Sequence, residues 1–294
     1  MKQDYRQSAE YNHFFETQGL VVEKINGTFI LIKRLPLVGS VIKIQRCDPE
    51  ISLQKIDEAA KRHRAFLIKI EPNLTTDDPR APAILRKLKN FGYEESRWAL
   101  CPTRTIHLDL TPGLDRILAQ TKKDVRRYLR KNRGKNFEFR QGNNLGAFYP
   151  LLQKAGEAKG YAVPRIEELK SHWGAFGSDL KLLLGYKDGK LLGGSLTLCR
   201  DGTAAGIYMA TSKDGLVQHF PYSLMWESIK LSKGAGGRIL DLDGIYDPRY
   251  RAPTSWKGLT EFKKKFGGRE IEFVGSFTKV NFLPLKILAK FGFI

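Results

Sequence analysis

The sequence has few of the residues that build metal centres. Its 294 residues include three cysteines and five histidines. The cysteines lie far apart and form no CxxC pair, so we expect reduced thiols inside the cell and no thiolate metal site. The histidines are also scattered, without HExxH or a similar spacing. We therefore expect neither a metal nor a cofactor.

Long apolar runs are also missing. No stretch approaches the roughly 18 uninterrupted apolar residues that indicate a membrane-spanning helix, and residues 1–19 are polar and charged where a signal peptide has its apolar core. We therefore expect a cytoplasmic protein. Residues 279–294 combine apolar side chains with three lysines and no acid. This segment is interpreted either as a closing helix on the first domain or as a shallow contact with the anionic inner membrane.

Acidic residues are scarce relative to basic ones. Asp and Glu number 31 against 50 Lys and Arg, which leaves a formal charge of +19. So large a surplus favours a polyanionic partner or an anionic surface.

The densest basic segment lies in a helix predicted over residues 113–133. Leu114, Ile117, Thr121 and Val125 recur at helical spacing and should face the core. The neighbouring cations are Lys122, Lys123, Arg126, Arg127, Arg130 and Lys131, with only Asp124 among them. Like charges at this spacing repel, so the pattern favours contact with a phosphate backbone over a solvated surface. No zinc-finger or RRM signature accompanies it, so the pattern indicates phosphate contact alone.

Helices and strands alternate along the chain, which predicts mixed α/β units with strands joined by hairpins. Asp188-Gly189 and Asp201-Gly202 predict two tight hairpin turns. A length of 294 residues favours two domains. We predict the first over residues 1–110, with 276–294 packing back on it, and the second over 111–275.

Residues 261–268 combine aromatic and basic side chains. Phe262 and Phe266 lie four residues apart and should pack inward, while the lysines at 263–265 project from the rest of the turn. By itself this pattern is typical of an amphipathic helix end with cations near its C-terminus.

Four segments in this part of the chain resemble motifs of the FemABX family of aminoacyl-tRNA-dependent transferases. They are the basic helix at 121–133, the YAVPR segment at 161–165, the DLDGI strand at 241–245 and the GLTEFKKKFGG segment at 258–268. The resemblance covers most of the chain from residue 110 onward. It implies two GNAT-like acyltransferase domains in an α/β fold with mixed sheets, here without the coiled-coil arm that some members insert.

The resemblance also implies a reaction and several site residues. The donor would be aminoacyl-tRNA, and the acceptor an amine of a muropeptide or lipid-linked peptidoglycan precursor. Lys263 matches the functional lysine, Phe262 would lie beside the tRNA end, and Arg165 matches a substrate-binding arginine. Tyr208 is adjacent to the position of an acceptor-binding tyrosine. Asp243 stands where the family motif has its first glycine.

The predicted chemistry is attack of an acceptor amine on the ester of the tRNA. The protein would mainly position the partners, and Lys263 would stabilise the oxyanion. Either Asp241 or a group on the acceptor would take the proton of the amine. We predict tRNA binding by Phe262, Lys263 and the cations Lys122, Lys123, Arg126, Arg127 and Arg130. Acceptor binding is assigned to Arg165, Tyr208 and Tyr222. We expect a monomer.

Other functions remain open at this stage. A GNAT-type N-acyltransferase could use acyl-CoA or another carrier, although residues 218–222 read QHFPY where CoA enzymes have a glycine-rich phosphate loop. The acceptor could be a small molecule or a peptide. A non-catalytic RNA-binding protein could also use a degenerate GNAT scaffold. The sequence does not indicate which amino acid is transferred.

Overall fold

The computed structural model describes residues 4–250 and 254–281, which form two compact units. The first contains the described residues up to Thr103, together with 248–250 and 272–281. The second contains Arg104–Asp247 and 254–271.

The helices are α1 (Ala9–Thr17), α2 (Leu53–Arg62), α3 (Ala81–Asn90), α4 (Leu114–Gln120), α5 (Lys123–Asn132), α6 (Leu145–Lys159), α7 (Ile166–Phe176), α8 (Lys213–Val217), α9 (Phe220–Gly234) and α10 (Trp256–Lys264). The strands are β1 (Val21–Ile25), β2 (Thr28–Leu35), β3 (Gly39–Cys47), β4 (Ala65–Pro72), β5 (Glu94–Glu95), β6 (Arg104–Asp109), β7 (Phe137–Gly142), β8 (Leu180–Lys187), β9 (Lys190–Arg200), β10 (Thr203–Thr211), β11 (Ile239–Asp241), β12 (Arg269–Glu272) and β13 (Phe277–Val280). Short 3-10 turns cover Tyr5–Gln7 and Gly177–Asp179.

The first unit is built on a mixed sheet with the strand order β1-β2-β3-β4-β13-β5. Its neighbours are antiparallel except β3 and β4, which run parallel. A parallel pair needs a crossover, and α2 supplies it, with the Ser52 side chain as its N-cap. β13 pairs with β4 and β5, so the segment after residue 276 begins in this sheet. The rest of the C-terminal segment, for which membrane contact is predicted, lies outside the described residues.

A buried lysine lies in the middle of this sheet. Lys69 on β4 is 1% exposed, and its Nζ donates to Ser96 Oγ at 2.6 Å. The same Nζ lies 3.2 Å from the ring centroid of Trp98. Burial lowers the pKa of Lys69 to about 8, and nearby Glu71 opposes that shift. The hydrogen bond and the ring contact therefore compensate protonated Lys69 only in part for its loss of water.

We predict that Lys69→Met stabilises the first unit by about 1–2 kcal/mol at pH 7, because methionine keeps the apolar stem and removes the buried charge. The folded pKa lies below the unfolded value, so the unfolded chain binds more protons between pH 8 and about 10.4. Wild-type stability should rise across that window, and the advantage of the mutant should shrink. Chemical denaturation at pH 7 to 10 measures this, with the exposed Lys55→Met as control. An advantage that does not change with pH would contradict the assignment to Lys69 ionisation.

The second unit is built on a mixed sheet with the strand order β12-β6-β11-β10-β9-β8-β7. β10 and β11 run parallel, while β7–β8, β8–β9, β9–β10 and β11–β6 are antiparallel. Strand β6, which precedes the predicted boundary at residue 110, therefore belongs to this sheet. Asp188, Gly189, Asp201 and Gly202 all have positive φ, which confirms the two predicted hairpin turns.

Helix α9 covers one face of this second sheet. Phe220 and Leu224 of α9 pack with Leu183 and Leu192 of the strands. Further along the helix, Met225 and Ile229 join Leu240 in a second buried cluster. No described helix has the length and apolarity needed to cross a membrane.

The predicted helix over 113–133 is two helices, so that prediction is wrong at its centre. Thr121 and Lys122 are extended, and they separate α4 from α5. Two contacts hold the break: the Thr121 hydroxyl donates to Leu118 O at 2.7 Å, and the Lys122 amide donates to Lys265 O at 2.8 Å. Ile117, Thr121 and Val125 are nevertheless buried, as the periodicity predicts.

Candidate active site

A cavity of about 1370 Å³ lies within the second unit. We call it the second-unit cavity. Its walls come from the end of α6, from β9 and β10, from α8 and the start of α9, from residues 240–244 and from α10. Lys263, Phe262 and Tyr208 line it, so it contains three of the side chains singled out in the sequence.

Lys263 lies in the last turn of α10 and is 8% exposed. Its Nζ donates to Gly244 O at 2.7 Å. Burial lowers the pKa of Lys263, and the charges of Asp243 and Asp241 oppose that shift. Phe266, one turn on, is almost fully buried and fixes this end of the helix in the core. The Lys263 side chain is thus held in one orientation at the cavity wall by its hydrogen bond to Gly244 O.

Asp241 lies outside the cavity lining, with its carboxylate held by hydrogen bonds. Oδ1 accepts from the Thr105 hydroxyl and, at 2.7 Å, from the Asp243 amide; Oδ2 lies 3.5 Å from His107 Nε2. Burial raises the pKa of Asp241, but the hydrogen bond and charge of His107 and the Thr105 and Asp243 hydrogen bonds outweigh it and hold the pKa at about 2. A carboxylate this acidic is a weak base, so the structure argues against Asp241 as the proton acceptor.

Asp243 is a cavity residue that was not among the predicted site residues. Its φ is +60°, a left-handed backbone that side-chain-bearing residues rarely adopt. Asp243 lines the cavity, and the next residue, Gly244, accepts the hydrogen bond from Lys263. The signal in the sequence was the aspartate standing in place of a motif glycine.

Tyrosines and further lysines also line the cavity. Tyr208 follows a register shift in the pairing of β10 with β9, and such bulges redirect side chains. Burial, with smaller effects from Asp243, Tyr161 and Glu168, raises the pKa of Tyr208 to about 12, so its hydroxyl stays protonated and can donate. Lys159 and Tyr161 also line the cavity, and burial lowers the pKa of Lys159 and raises that of Tyr161.

Arg165 and Tyr222, the other predicted acceptor-binding residues, do not line the cavity. The Arg165 side chain is 73% exposed and pairs with Glu168 at 2.9 Å. Tyr222 stacks on Tyr128 with a centroid distance of 4.6 Å, and its hydroxyl accepts from Lys265 Nζ at 3.2 Å. The structure therefore gives Tyr222 a packing role.

Tyr222 belongs to an aromatic cluster that joins α5 to the cavity. The cluster consists of Tyr128, His219, Tyr222, Phe262 and Phe266, with successive centroid distances of 4.1 to 6.4 Å. His219 is exposed at one end, and Phe262 lines the cavity at the other. Lys265 adds an ion pair to Asp124 of α5 at 2.7 Å.

The cations of α5 lie on the exposed side of this helix. Lys122, Lys123, Arg127 and Arg130 are exposed, and within residues 4–250 and 254–281 none of them forms an ion pair. Arg126 is half-buried, and its guanidinium donates to Ala119 O at 3.0 Å and to Thr121 O. Arg126 therefore closes the end of α4, whereas Lys122, Lys123, Arg127 and Arg130 face solvent.

The start of α9 differs from the glycine-rich phosphate loop of CoA-dependent enzymes. Pro221 lies in the first turn of α9 and lacks an amide hydrogen, so this helix start offers a phosphate one amide fewer than a start without proline. Among the described residues, no group of three His, Cys, Asp or Glu side chains could hold a metal ion.

Comparison with solved structures identifies the fold. The crystal structure of FemX superposes with a TM-score of 0.79 at 18% identity and covers 97% of this chain and 94% of FemX. The C-terminal domain of a putative lysylphosphatidylglycerol synthetase from Agrobacterium fabrum matches with a TM-score of 0.58 at 16% identity, covering 97% of this chain and 90% of that domain. A tandem GNAT protein from the clavulanic acid biosynthesis pathway matches with a TM-score of 0.51 at 13% identity, covering 87% of this chain and 81% of its own.

No protein-family model matches the sequence, and the search of curated proteins found no match. The structural matches nevertheless confirm the predicted fold: a FemABX-like α/β architecture with mixed sheets and two GNAT-like domains. The helices of the described residues are at most 15 residues long, so no coiled-coil arm is inserted among them.

Proposed function

We propose that this chain is an aminoacyltransferase of the Fem/GNAT type. It moves an amino acid from aminoacyl-tRNA to an amine of a peptidoglycan precursor, either a muropeptide or a lipid-linked form. The observation that carries the proposal is the position of Lys263: a buried cation at the cavity wall, on a helix bonded to the basic helix α5. The FemX-like fold supports it.

The reaction needs little covalent help from the protein. The ester that joins the amino acid to tRNA is reactive, so positioning the amine against it and stabilising the oxyanion lower most of the barrier. Lys263 is held by Gly244 O and lies close enough to Asp243 and Asp241 for their charges to favour its protonated form. It therefore presents a fixed positive charge to the tetrahedral intermediate.

The donor path runs along α5 and the aromatic cluster. Exposed cations of α5 would hold the RNA phosphates, and aromatic rings suit the unstacked bases of a single-stranded 3′ end. His219 and Tyr128 lie at the outer end of the cluster, and Phe262 leads into the cavity. The ester would reach Lys263 by this route. Charged tRNA is a cytoplasmic substrate, so the proposal places the protein in the cytoplasm.

Product mass tests the proposal directly. The purified chain is incubated with a pool of charged tRNAs and with nucleotide-linked and lipid-linked muropeptides, and products are read by mass spectrometry. One muropeptide should gain the mass of a single amino acid residue, and ribonuclease treatment of the donor should abolish the gain. Transfer from acyl-CoA, with none from tRNA, would instead support the GNAT-type alternative.

Tyr208 and Tyr222 are both predicted to bind the acceptor, but their phenylalanine variants should differ in the KM for the muropeptide. Tyr208→Phe removes a hydroxyl that lines the cavity, so the KM for the muropeptide should rise about three- to tenfold, the value of one hydrogen bond. Tyr222→Phe removes a hydroxyl bonded to Lys265, outside the cavity lining, and should leave that KM within about twofold. Steady-state kinetics with a fixed donor concentration measures both. Equal effects would place the acceptor elsewhere.

A further inference from the structure

The backbone at Asp243 is held in an unfavourable conformation by its neighbours. At φ +60°, glycine is accommodated without cost, whereas most residues with a Cβ are strained and aspartate and asparagine less than the others. Both sides of the residue are anchored: its amide donates to Asp241 Oδ1 at 2.7 Å, and its carbonyl accepts from Thr105 Oγ1 at 2.9 Å. The structure therefore holds a carboxylate in a fixed backbone position that glycine would also fit.

The same anchors place that carboxylate beside the reaction centre. Asp243 lines the second-unit cavity, and Lys263 donates to the next residue, Gly244, at 2.7 Å. The charge of Asp243 reaches both Lys263 on α10 and Tyr208 on β10. A group bound at Lys263 therefore lies close to Asp243.

The acceptor amine has a requirement that Lys263 cannot meet. A lysine-type amine has a pKa of about 10.4 and is an ammonium ion at neutral pH, so it must lose a proton before it can attack an ester. The titratable groups that line the cavity with Asp243 are five lysines, the hydroxyls of two tyrosines and the carboxylates of Glu157 and Asp214; the lysines are Lys154, Lys159, Lys190, Lys213 and Lys263, and the tyrosines are Tyr161 and Tyr208. Glu157 and Asp214 are exposed, and Asp214 pairs with Lys190. The lysines repel an ammonium ion, and the tyrosines are protonated.

We propose that Asp243 is a catalytic residue that binds the acceptor ammonium and takes its proton; this rests on the proposed function. The neutral nitrogen then bonds to the ester carbonyl carbon, and the carbon–oxygen bond to the ribose breaks. Of the three protons of the ammonium, one stays on the amide, one ends on the ribose oxygen and one goes to solvent. Asp243 receives the first proton that the ammonium loses and passes it to solvent. Asp241 has the separate role of positioning the Asp243 backbone.

The test compares wild type with Asp243→Asn and Asp243→Gly. Asparagine keeps the shape and tolerates the left-handed backbone, and glycine relieves its strain. The acceptor probe is a UDP-N-acetylmuramoyl pentapeptide that carries lysine, the donor is a pool of charged tRNAs, and single-turnover rates are measured from pH 7 to pH 9. At pH 7 both variants should be about 10²–10⁴-fold slower than wild type, the range for loss of a general base.

The pH profile separates this role from a structural one. Below its pKa, the neutral fraction of the amine rises tenfold per pH unit, so the deficit of each variant should shrink about tenfold per unit. A deficit that is the same at every pH, or rates close to wild type, would overturn the role of Asp243 while leaving the proposed function intact. Absence of product from the wild type with this and the other muropeptides would overturn both. Asp243→Gly should melt at or above the wild-type temperature, so its loss of rate cannot be assigned to unfolding.

Discussion

Replacement of Lys263 by alanine should lower the rate of aminoacyl transfer about 10²–10³-fold, the usual cost of removing one oxyanion-stabilising donor. The cation is buried at the cavity wall and fixed by Gly244 O at 2.7 Å. Alanine leaves the cavity without a positive charge at that point, and a water molecule there is a weaker and less ordered donor. Single-turnover rates at saturating donor and acceptor measure the effect on the chemical step.

The neighbouring lysine provides a matched control. Lys264 occupies the next position of α10, but it is 38% exposed and pairs with Glu270 at 2.8 Å. Lys264→Ala removes the same charge from the same helix and should change the rate by less than about threefold, because exposed ion pairs contribute little. If the two alanine variants were equally impaired, total charge would matter rather than the position of Lys263.

Folding is expected to survive the Lys263 substitution. The variant loses one hydrogen bond, worth about 1 kcal/mol net, and at the same time removes a charge whose burial is unfavourable. Phe262 and Phe266, which anchor the helix in the core and the aromatic cluster, are unchanged. A melting temperature near that of the wild type, together with the loss of rate, would assign Lys263 to the reaction itself.

Local sequence patterns predicted the parts of this site that depend on neighbours along the chain. Phe262 and Phe266 pack together at helical spacing, with centroids 5.3 Å apart. Of the three lysines between them, Lys263 lines the cavity, and it was singled out by the family resemblance rather than by the local pattern. The hairpin turns at Asp188-Gly189 and Asp201-Gly202 are equally local, because their two residues alone set the turn conformation. Patterns of this kind need no knowledge of tertiary contacts.

The structure holds features that the sequence did not indicate where distant segments meet. The break between α4 and α5 depends on a bond from Lys122 to Lys265, far away in sequence. The contacts that hold the Asp241 carboxylate come from Thr105 and His107, which lie on β6. Arg165 belongs to a recognisable segment, yet the start of α7 leaves it exposed beside Glu168. No periodicity in the chain reports such pairings, so these roles could not be predicted from the sequence.

The second large effect is expected on tRNA affinity, from the exposed cations of α5. Substituting Arg127 and Arg130 with glutamine should weaken tRNA binding about tenfold near 0.15 M salt, because each exposed cation that contacts a phosphate releases a counterion. The slope of log affinity against log salt should fall by roughly 1.4–1.8 units, since each phosphate contact accounts for about 0.7–0.9. Both side chains are exposed, so the fold should be unaffected. Titration of labelled tRNA at several salt concentrations measures affinity and slope together.

The control must remove the same charge from another exposed helix. Arg86 and Lys89 of α3 are exposed on the first unit and belong to no part of the proposed donor path. Their double glutamine variant has the same net charge as the α5 variant, so it should keep the wild-type slope if the contact is local. Were the two double variants to lose affinity and slope equally, the attraction would come from the overall charge of +19. A selective loss from α5 would instead place the phosphates next to the helix that is bonded to α10, and so within reach of Lys263.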